Sequence, residues 1–257
     1  EMTLRLVTSD RNAWVFVDRD EFADDNAEHL YRWVRKYHPE VNAWFMLNKD
    51  SYDWNRLQAE GFRLLEPGLK RKLLLLNCDH IISSQSNYEL GGFNPTVYGD
   101  LMEWRFTFLQ HGVIHDDNSH WLSSRHFDMF VTSSPAEHQS IVGDDSPYNY
   151  TDRETKRTGM PRHDRLVEWA LEVPASEQTV LLVMPTWRGS LVDDRNAAHS
   201  PEEKLQQFSR SEYARSWREF LGNEKIRTLA AARGLRMVFL PHPNAVPFIK
   251  GFELDEN

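Results

Sequence analysis

Short apolar runs alternate with stretches of helical spacing along most of this chain. Ala13-Trp14-Val15-Phe16-Val17 is an apolar run of strand length. Asp25 or Asn26 then caps a predicted helix with an apolar stripe of Leu30, Trp33, Val34 and Tyr37, and His38-Pro39 stops it. Ala43–Leu47 reads as the next strand, Trp54–Glu60 as a helix ended by Gly61, and Phe62–Leu65 as a short strand. A helix over Leu69–Leu76 leads to a strand at His80–Ser83. Further strands are predicted at Phe106–Leu109, Met129–Thr132, Thr155–Thr158, Val180–Met184 and Met237–Leu240. Strand–helix alternation of this kind predicts βαβ units, hence an α/β chain with parallel sheets covered on both faces.

A helix over Arg165–Leu171 is followed by a polar stretch, Leu171–Gln178, that contains Pro174 and Ser176 and reads as a linker. It divides the chain into a first Rossmann-like lobe, 1–172, and the first part of a second lobe, 173–257. Asp193–Gln207 is charged and poor in strand formers, and is expected to be a surface excursion. The second lobe has room for only two strands, which bury little apolar surface. It is expected to be incomplete in this chain, completed by sequence outside it or by another chain.

Charge and cysteine usage narrow the function classes. Lys and Arg number 30 against 39 Asp and Glu, a net charge of −9. That balance argues against nucleic-acid binding and supplies no polybasic anchor for an anionic membrane. The single cysteine, Cys78, excludes an internal disulfide and a Cys-rich zinc site, and suits a reducing compartment. No apolar run approaches the length of a membrane span. The chain carries no GxxxxGK[ST] loop, GxGxxG fingerprint or GxSxG elbow.

Four polar clusters each follow an apolar strand directly: Gln110-His111-Gly112, Gly159-Met160-Pro161-Arg162, Pro185-Thr186-Trp187-Arg188-Gly189 and Pro241-His242-Pro243. Each is expected at the carboxyl edge of its sheet, where open α/β sheets bind ligands, and two facing lobes would bring all four to one cleft. At Gly112 the missing side chain would let backbone N–H groups approach a ligand. His111 reads either as a histidine bonded into the fold or as a working imidazole. His242, between two prolines, is either an exposed residue of a rigid turn or a rigidly aimed imidazole. Arg162 and Arg165 sit at a helix start, where they are either solvated or grip phosphate. Arg188 either stacks on Trp187 or binds phosphate. His115, Asp116, Asp117 and His120 are too close together to face one metal ion, and Asp117, Asn118 or Ser119 fits better as the cap of a helix through Trp121.

FLQHGVIHDD (108–117), SHWL (119–122), FDMFVTSSPAEHQSIV (127–142), TGMPRHDRL (158–166), LLVMPTWRG (181–189) and FLPHPN (239–244) occur in one order along the chain. In these blocks, and in DDNAEHLYRWV (24–34), the sequence resembles the CDP-glycerol:poly(glycerophosphate) glycerophosphotransferases, the teichoic-acid and capsule polymerase family. The resemblance implies a GT-B-like architecture of two Rossmann-like lobes. It also implies transfer of glycerol phosphate from CDP-glycerol to a hydroxyl of a growing polymer, with release of CMP. His111 and His242 map onto the family's two essential histidines, His111 as base for the acceptor hydroxyl. Donor contacts fall on His111, Gly112, Val113, Ile114, His115, Arg162, Pro185, Thr186, Leu240, Pro241 and His242, with His242 and Arg162 neutralising the pyrophosphate. Arg165 and Arg188 are secondary phosphate candidates. No cofactor follows beyond the donor substrate; a divalent metal is compatible but not indicated. The implied acceptor is a polyol-phosphate or glycan polymer, lipid-linked, met at the cytoplasmic face of a bacterial membrane through parts outside this chain. A CDP-ribitol enzyme or single-addition primer enzyme fits the same blocks, because few contacts read polyol length. A GT-B nucleotide-sugar glycosyltransferase and a non-catalytic interaction lobe are the remaining readings.

Overall fold

A computed structural model describes residues 12–87, 103–192 and 200–254. The chain divides between Ala170 and Leu171 into two compact units.

The first unit contains strands β1 (Ala13–Val17), β2 (Asn42–Met46), β3 (Leu64–Leu65), β4 (His80–Ser83), β5 (Arg105–Phe108), β6 (Met129–Thr132) and β7 (Thr155–Arg157). Its helices are α1 (Asn26–Tyr37), α2 (Trp54–Ala59), α3 (Leu69–Asn77), α4 (Ser119–Leu122), α5 (Pro135–Val142) and α6 (Pro161–Glu172), the last running across the unit boundary. All seven strands are parallel, in the order β3-β2-β1-β4-β5-β6-β7. The chain therefore builds outward from β1 to β3, returns, and builds the other way from β4. Between β1 and β4 the connections leave in opposite directions, which is the switch point where open sheets of this kind bind ligands.

Alternation along the strands feeds a core on each face. Ala13, Val15, Val17, Ile81, Phe106 and Phe108 point to one, where Leu74, Leu75, Leu122 and Ile141 from α3, α4 and α5 cover them. Phe16, Phe45, Ile82, Leu109 and Val131 point to the other, beneath Tyr31 and Val34 of α1 and Leu57 of α2. The predicted stripe of α1 is displaced. Ala27, Tyr31 and Val34 are buried, whereas Trp33 and Tyr37 are 49% and 54% exposed and pack on each other at 5.4 Å. Tyr31 wins the inward position because Phe16, Phe45 and Phe62 surround its ring. Phe62 is spent on that contact, and the predicted strand Phe62–Leu65 shortens to Leu64–Leu65.

The second unit pairs β8 (Val180–Val183) in parallel with β9 (Arg236–Phe239). Helices α7 (Gly189–Val192), α8 (Pro201–Arg210), α9 (Glu212–Leu221) and α10 (Glu224–Ala232) lie between the strands in sequence, and a 3₁₀ segment, Pro243–Phe252, follows β9. Phe208, Ala214 and Phe252 form its buried core, with Phe239, Phe248 and Trp217 packed around them. Val180 and Leu182 on β8 remain about half exposed. The predicted excursion Asp193–Gln207 is corrected in part. Residues 193–199 lie outside the described residues, and the rest belongs to α8, which Ser200 and Glu203 start with a reciprocal capping box.

Candidate functional site

At the switch point Asp18 follows β1 and Ser84 follows β4, both buried. The Asp18 carboxylate faces the amino terminus of α1. It accepts from the N–H groups of Ala27 (2.8 Å), Asp25 (3.1 Å) and Glu28 (3.2 Å), and from the Ser84 hydroxyl. A Rossmann lobe offers this helix terminus to a phosphate. Here a side chain of the chain itself occupies it. Burial pushes the Asp18 carboxyl up to about 6, against the Ser84 hydrogen bond and with help from the nearby charge of Asp25.

One strand further along, β5 gives way to the Gln110-His111-Gly112 turn. The left-handed residue there is Gln110, at φ 66°, and not Gly112. A non-glycine residue in that region stores strain that its surroundings must offset. Asn26 Nδ2 donates to the Gln110 carbonyl at 2.7 Å, while the buried Gln110 side chain donates from Nε2 to the Val131 carbonyl (3.2 Å) and Glu137 Oε1 (3.1 Å). Glu137 is 3% exposed and sits in the first turn of α5, behind the Ser134 cap. It also accepts from the Ile114 N–H (2.9 Å), the Ser133 N–H (2.7 Å) and the Ser133 hydroxyl (3.0 Å). Gln110 and Ile114 are thus anchored, and His111, Gly112 and Val113 project between them. A Cβ built on Gly112 meets nothing within 4 Å, so the space beside this loop is open, as a ligand site requires.

Arg162 provides a third anchor. Its guanidinium donates to Asp25 Oδ1 (2.6 Å) and to the His111 carbonyl (2.8 Å), and its backbone N–H donates to Asn26 Oδ1 (3.1 Å). Loops after β1, β5 and β7 are thereby tied together beneath an exposed His111 imidazole. Gly159, at φ 82°, makes the turn that brings Arg162 back over the sheet edge. Arg165 is on the surface of α6 and pairs with Glu168 at 3.3 Å. His115 and Asp116 are exposed and pair with each other, while Asp117 accepts from the Ser119 N–H (2.8 Å) at the start of α4; Asn118 holds the cap position without a side-chain cap bond. Among the described residues no group of three His, Cys, Asp or Glu side chains could hold a metal ion.

In the second unit the two remaining clusters leave the carboxyl ends of adjacent parallel strands. His242 accepts at Nδ1 from the Asn244 N–H at 3.1 Å, capping the 3₁₀ segment. A backbone N–H always donates, so the neutral ring carries its own proton on Nε2. The ring stacks on Trp187 with centroids 5.7 Å apart and an interplanar angle of 26°. Trp187 is therefore the platform of His242; Arg188 lies over Tyr213 at 5.5 Å, so of the two readings of Arg188 the stack on Trp187 is not the one seen. The Tyr213 hydroxyl donates to the Thr186 carbonyl at 2.6 Å and fixes the Pro185-Thr186 turn. Pro241 is buried and Leu240 is 50% exposed beside them.

The sequence singles out His111, Arg162 and His242 as candidates but does not reveal the parts played by Asp18, Glu137, the Gln110 side chain and the Trp187 platform. Glu137 carried a readable signal: Ser134-Pro135-Ala136-Glu137 has the spacing of a capping box. Its carboxylate goes instead to Ser133 and to the His111 loop.

The family model described as CDP-glycerol:poly(glycerophosphate) glycerophosphotransferase matches residues 1–218 of the chain. The chain is 31% identical over 245 residues to the minor teichoic acid biosynthesis protein GgaB of Bacillus subtilis (strain 168), and the match covers 93% of this chain and 26% of that protein. Among solved structures, a histidine-to-asparagine variant of the wall teichoic acid polymerase TagF superposes with a TM-score of 0.52 at 12% identity, covering 95% of this chain and 60% of that one. A histidine-to-alanine variant of TagF gives 0.50 at 12% identity, covering 97% and 61%. At that identity the structures speak for the fold alone: an α/β chain of GT-B-like class with a parallel sheet in each unit. Among the described residues no helix is long and apolar enough to cross a membrane.

Proposed function

The chain belongs to the CDP-glycerol:poly(glycerophosphate) glycerophosphotransferase family, and from that premise we propose that its parent enzyme moves glycerol phosphate from CDP-glycerol to a hydroxyl of a teichoic-acid-like polymer. The observation that carries the reading is the His111 loop, an exposed imidazole on a turn whose backbone is tied at Gln110, His111 and Ile114. Phosphoryl transfer asks a protein for positioning and charge stabilisation more than for covalent chemistry. In this reading the acceptor oxygen attacks the glycerol-bearing phosphorus, its proton passes to His111, the P–O–P bond breaks, and CMP leaves. His242 presents Nε2–H to a phosphate oxygen and acts as a neutral donor rather than as a cation. Thr186, Arg188 and the other residues after β8 and β9 flank that donor. Arg162 supports the loop through the His111 carbonyl. The acceptor is a lipid-linked polyol-phosphate or glycan polymer, reached at the inner face of the membrane.

Incubation of the full-length gene product with CDP-glycerol and acceptor tests this. CMP release that needs both substrates and is lost in His111→Ala is expected. Release from CDP-ribitol alone would move the substrate assignment. Absence of release with either CDP-polyol would reject the transferase reading.

A further inference from the structure

We propose that Glu137 is a positioning residue for His111. Each of its carboxylate oxygens accepts two hydrogen bonds. Oε1 receives the Ile114 N–H (2.9 Å) and Gln110 Nε2 (3.1 Å); Oε2 receives the Ser133 N–H (2.7 Å) and hydroxyl (3.0 Å). One oxygen therefore holds both ends of the segment whose three central residues are His111, Gly112 and Val113. The other oxygen fixes the carboxylate to the turn that begins α5. All four donors are neutral, and Glu137 is 3% exposed, so directed N–H and O–H groups and the helix terminus hold the charge.

Four donors converging on one group require a group that only accepts. A carboxylate offers about four lone-pair sites; an amide of the same shape offers two on its oxygen and presents two N–H donors from its nitrogen. In Glu137→Gln the amide nitrogen, placed where Oε1 was, faces the Ile114 N–H and the Gln110 amide; turned the other way it faces the Ser133 N–H, while the Ser133 hydroxyl can rotate and accept from it. The packing volume is unchanged and the acceptor pattern is halved. Either the Gln110–Ile114 clamp is lost or the Ser133 anchor is weakened, and His111 is held less firmly relative to the sheet edge. A misplacement of about 1 Å can lower a rate roughly a hundredfold.

This inference rests on the reading of His111 as the base, and its test separates the two. Full-length Glu137→Gln is expected to turn over CDP-glycerol about a hundredfold more slowly, with faster amide hydrogen exchange at Gly112, Val113 and Ile114. Ser134→Ala is the control. It removes the Ser134 hydroxyl that caps the same helix by accepting the Glu137 N–H at 3.1 Å, and leaves the carboxylate clamp alone. It is expected to lower Tm while keeping kcat within about twofold. Equal kcat losses in the two variants would reduce Glu137 to a stability role and overturn the proposal, as would unchanged loop exchange in Glu137→Gln. Should Glu137→Gln fail to fold, Gln110→Asn decides by the same two readouts. Asn tolerates the left-handed backbone but is too short to reach Glu137. Full activity in His111→Ala would instead remove the premise, and the exchange data would still show whether Glu137 holds the loop.

Discussion

Substituting His242 by Asn and by Gln separates two jobs that one imidazole performs. Nδ1 accepts the Asn244 N–H at 3.1 Å and caps the 3₁₀ segment; Nε2–H faces away and is the group assigned to a donor phosphate. Asn carries an acceptor at the distance of Nδ1 and is a strong cap, so His242→Asn is expected to fold with almost the wild-type Tm. His242→Ala loses the cap, at about 1 kcal/mol. Gln is long enough to place an N–H near the position of Nε2. A hydrogen bond to a charged group contributes about 1.5–3 kcal/mol, or roughly 10–150-fold in kcat/KM for CDP-glycerol. Asn and Ala should both lose that factor, and Gln should recover part of it. Steady-state CMP release and thermal melts on the full-length gene product provide both measurements. Nitrogen-15 spectra of the histidine rings should show Nδ1 of His242 without a proton. An active His242→Asn, a folded Gln variant no better than Ala, or a protonated Nδ1 would each refute the assignment of His242 as a neutral donor.

Three further outcomes follow from other parts of the chain. Burial raises Asp18 from an ordinary 3.8 to about 6, so the folded carboxyl binds its proton more tightly than the unfolded one. The associated stability is complete below 3.8 and is lost as pH rises through about 6. Wild type should lose about 3 kcal/mol relative to Asp18→Asn between pH 3.5 and 7.5 in denaturant titrations. No pH-dependent difference would show that Asp18 is not desolvated as described. Cys78 is buried, and burial pushes its thiol up to about 12. Iodoacetamide at neutral pH should leave native protein unmodified and label it after unfolding; labelling of the native state would count against that burial. Arg162→Lys cannot bridge Asp25 and the His111 carbonyl together. It should lower kcat with little change in the KM for CDP-glycerol. A raised KM with unchanged kcat would instead favour Arg162 as a phosphate ligand.

Local pattern carried the sheet. Every predicted strand from Ala13–Val17 to Met237–Leu240 has an observed counterpart, because an apolar run buried between two helical layers announces itself without reference to partners. The face of α1 was less legible, since Trp33 and Tyr31 both suit an apolar stripe and only the ring cluster of Phe16, Phe45 and Phe62 selects Tyr31. In the candidate site, sequence gave up the residues that end strands and concealed those that hold them. Gln110 and Glu137 are 27 positions apart, and Arg162 and Asp25 are 137 apart. Such pairs are set by which loops the sheet order makes neighbours, and no spacing rule within one segment reports that. The left-handed backbone at Gln110 belongs to the same class. Glycine invited the tight turn at Gly112, but the hydrogen bond from Asn26 to the Gln110 carbonyl places the strain two residues earlier.

Asp18 bears on what the proposed function asks of the first unit. In a Rossmann lobe the free N–H groups that open the first helix make the switch point attractive to a phosphate. In the first unit the Ala27 and Glu28 N–H groups are already bound to a buried carboxylate, which is mainly ionised at neutral pH if it titrates near 6. A phosphate brought there would find those N–H groups taken and would meet a like charge. The helix-terminus anion site at this switch point is therefore closed by the chain itself, and what the same edge presents one strand further on is an imidazole. The second unit shows the opposite pattern: Nε2–H of His242, the Arg188 guanidinium and the Thr186 hydroxyl follow two adjacent strands. On the proposed reading, the first unit would supply the base for a neutral hydroxyl and the second the donors for an anion, a division that suits transfer from a nucleotide diphosphate to an alcohol. Asp18→Asn bears on this point as well as on stability. If self-occupation is what keeps phosphate out of the first unit, neutralising Asp18 should create weak inorganic phosphate binding that shifts the Ala27 and Glu28 amide resonances, and wild type should show none.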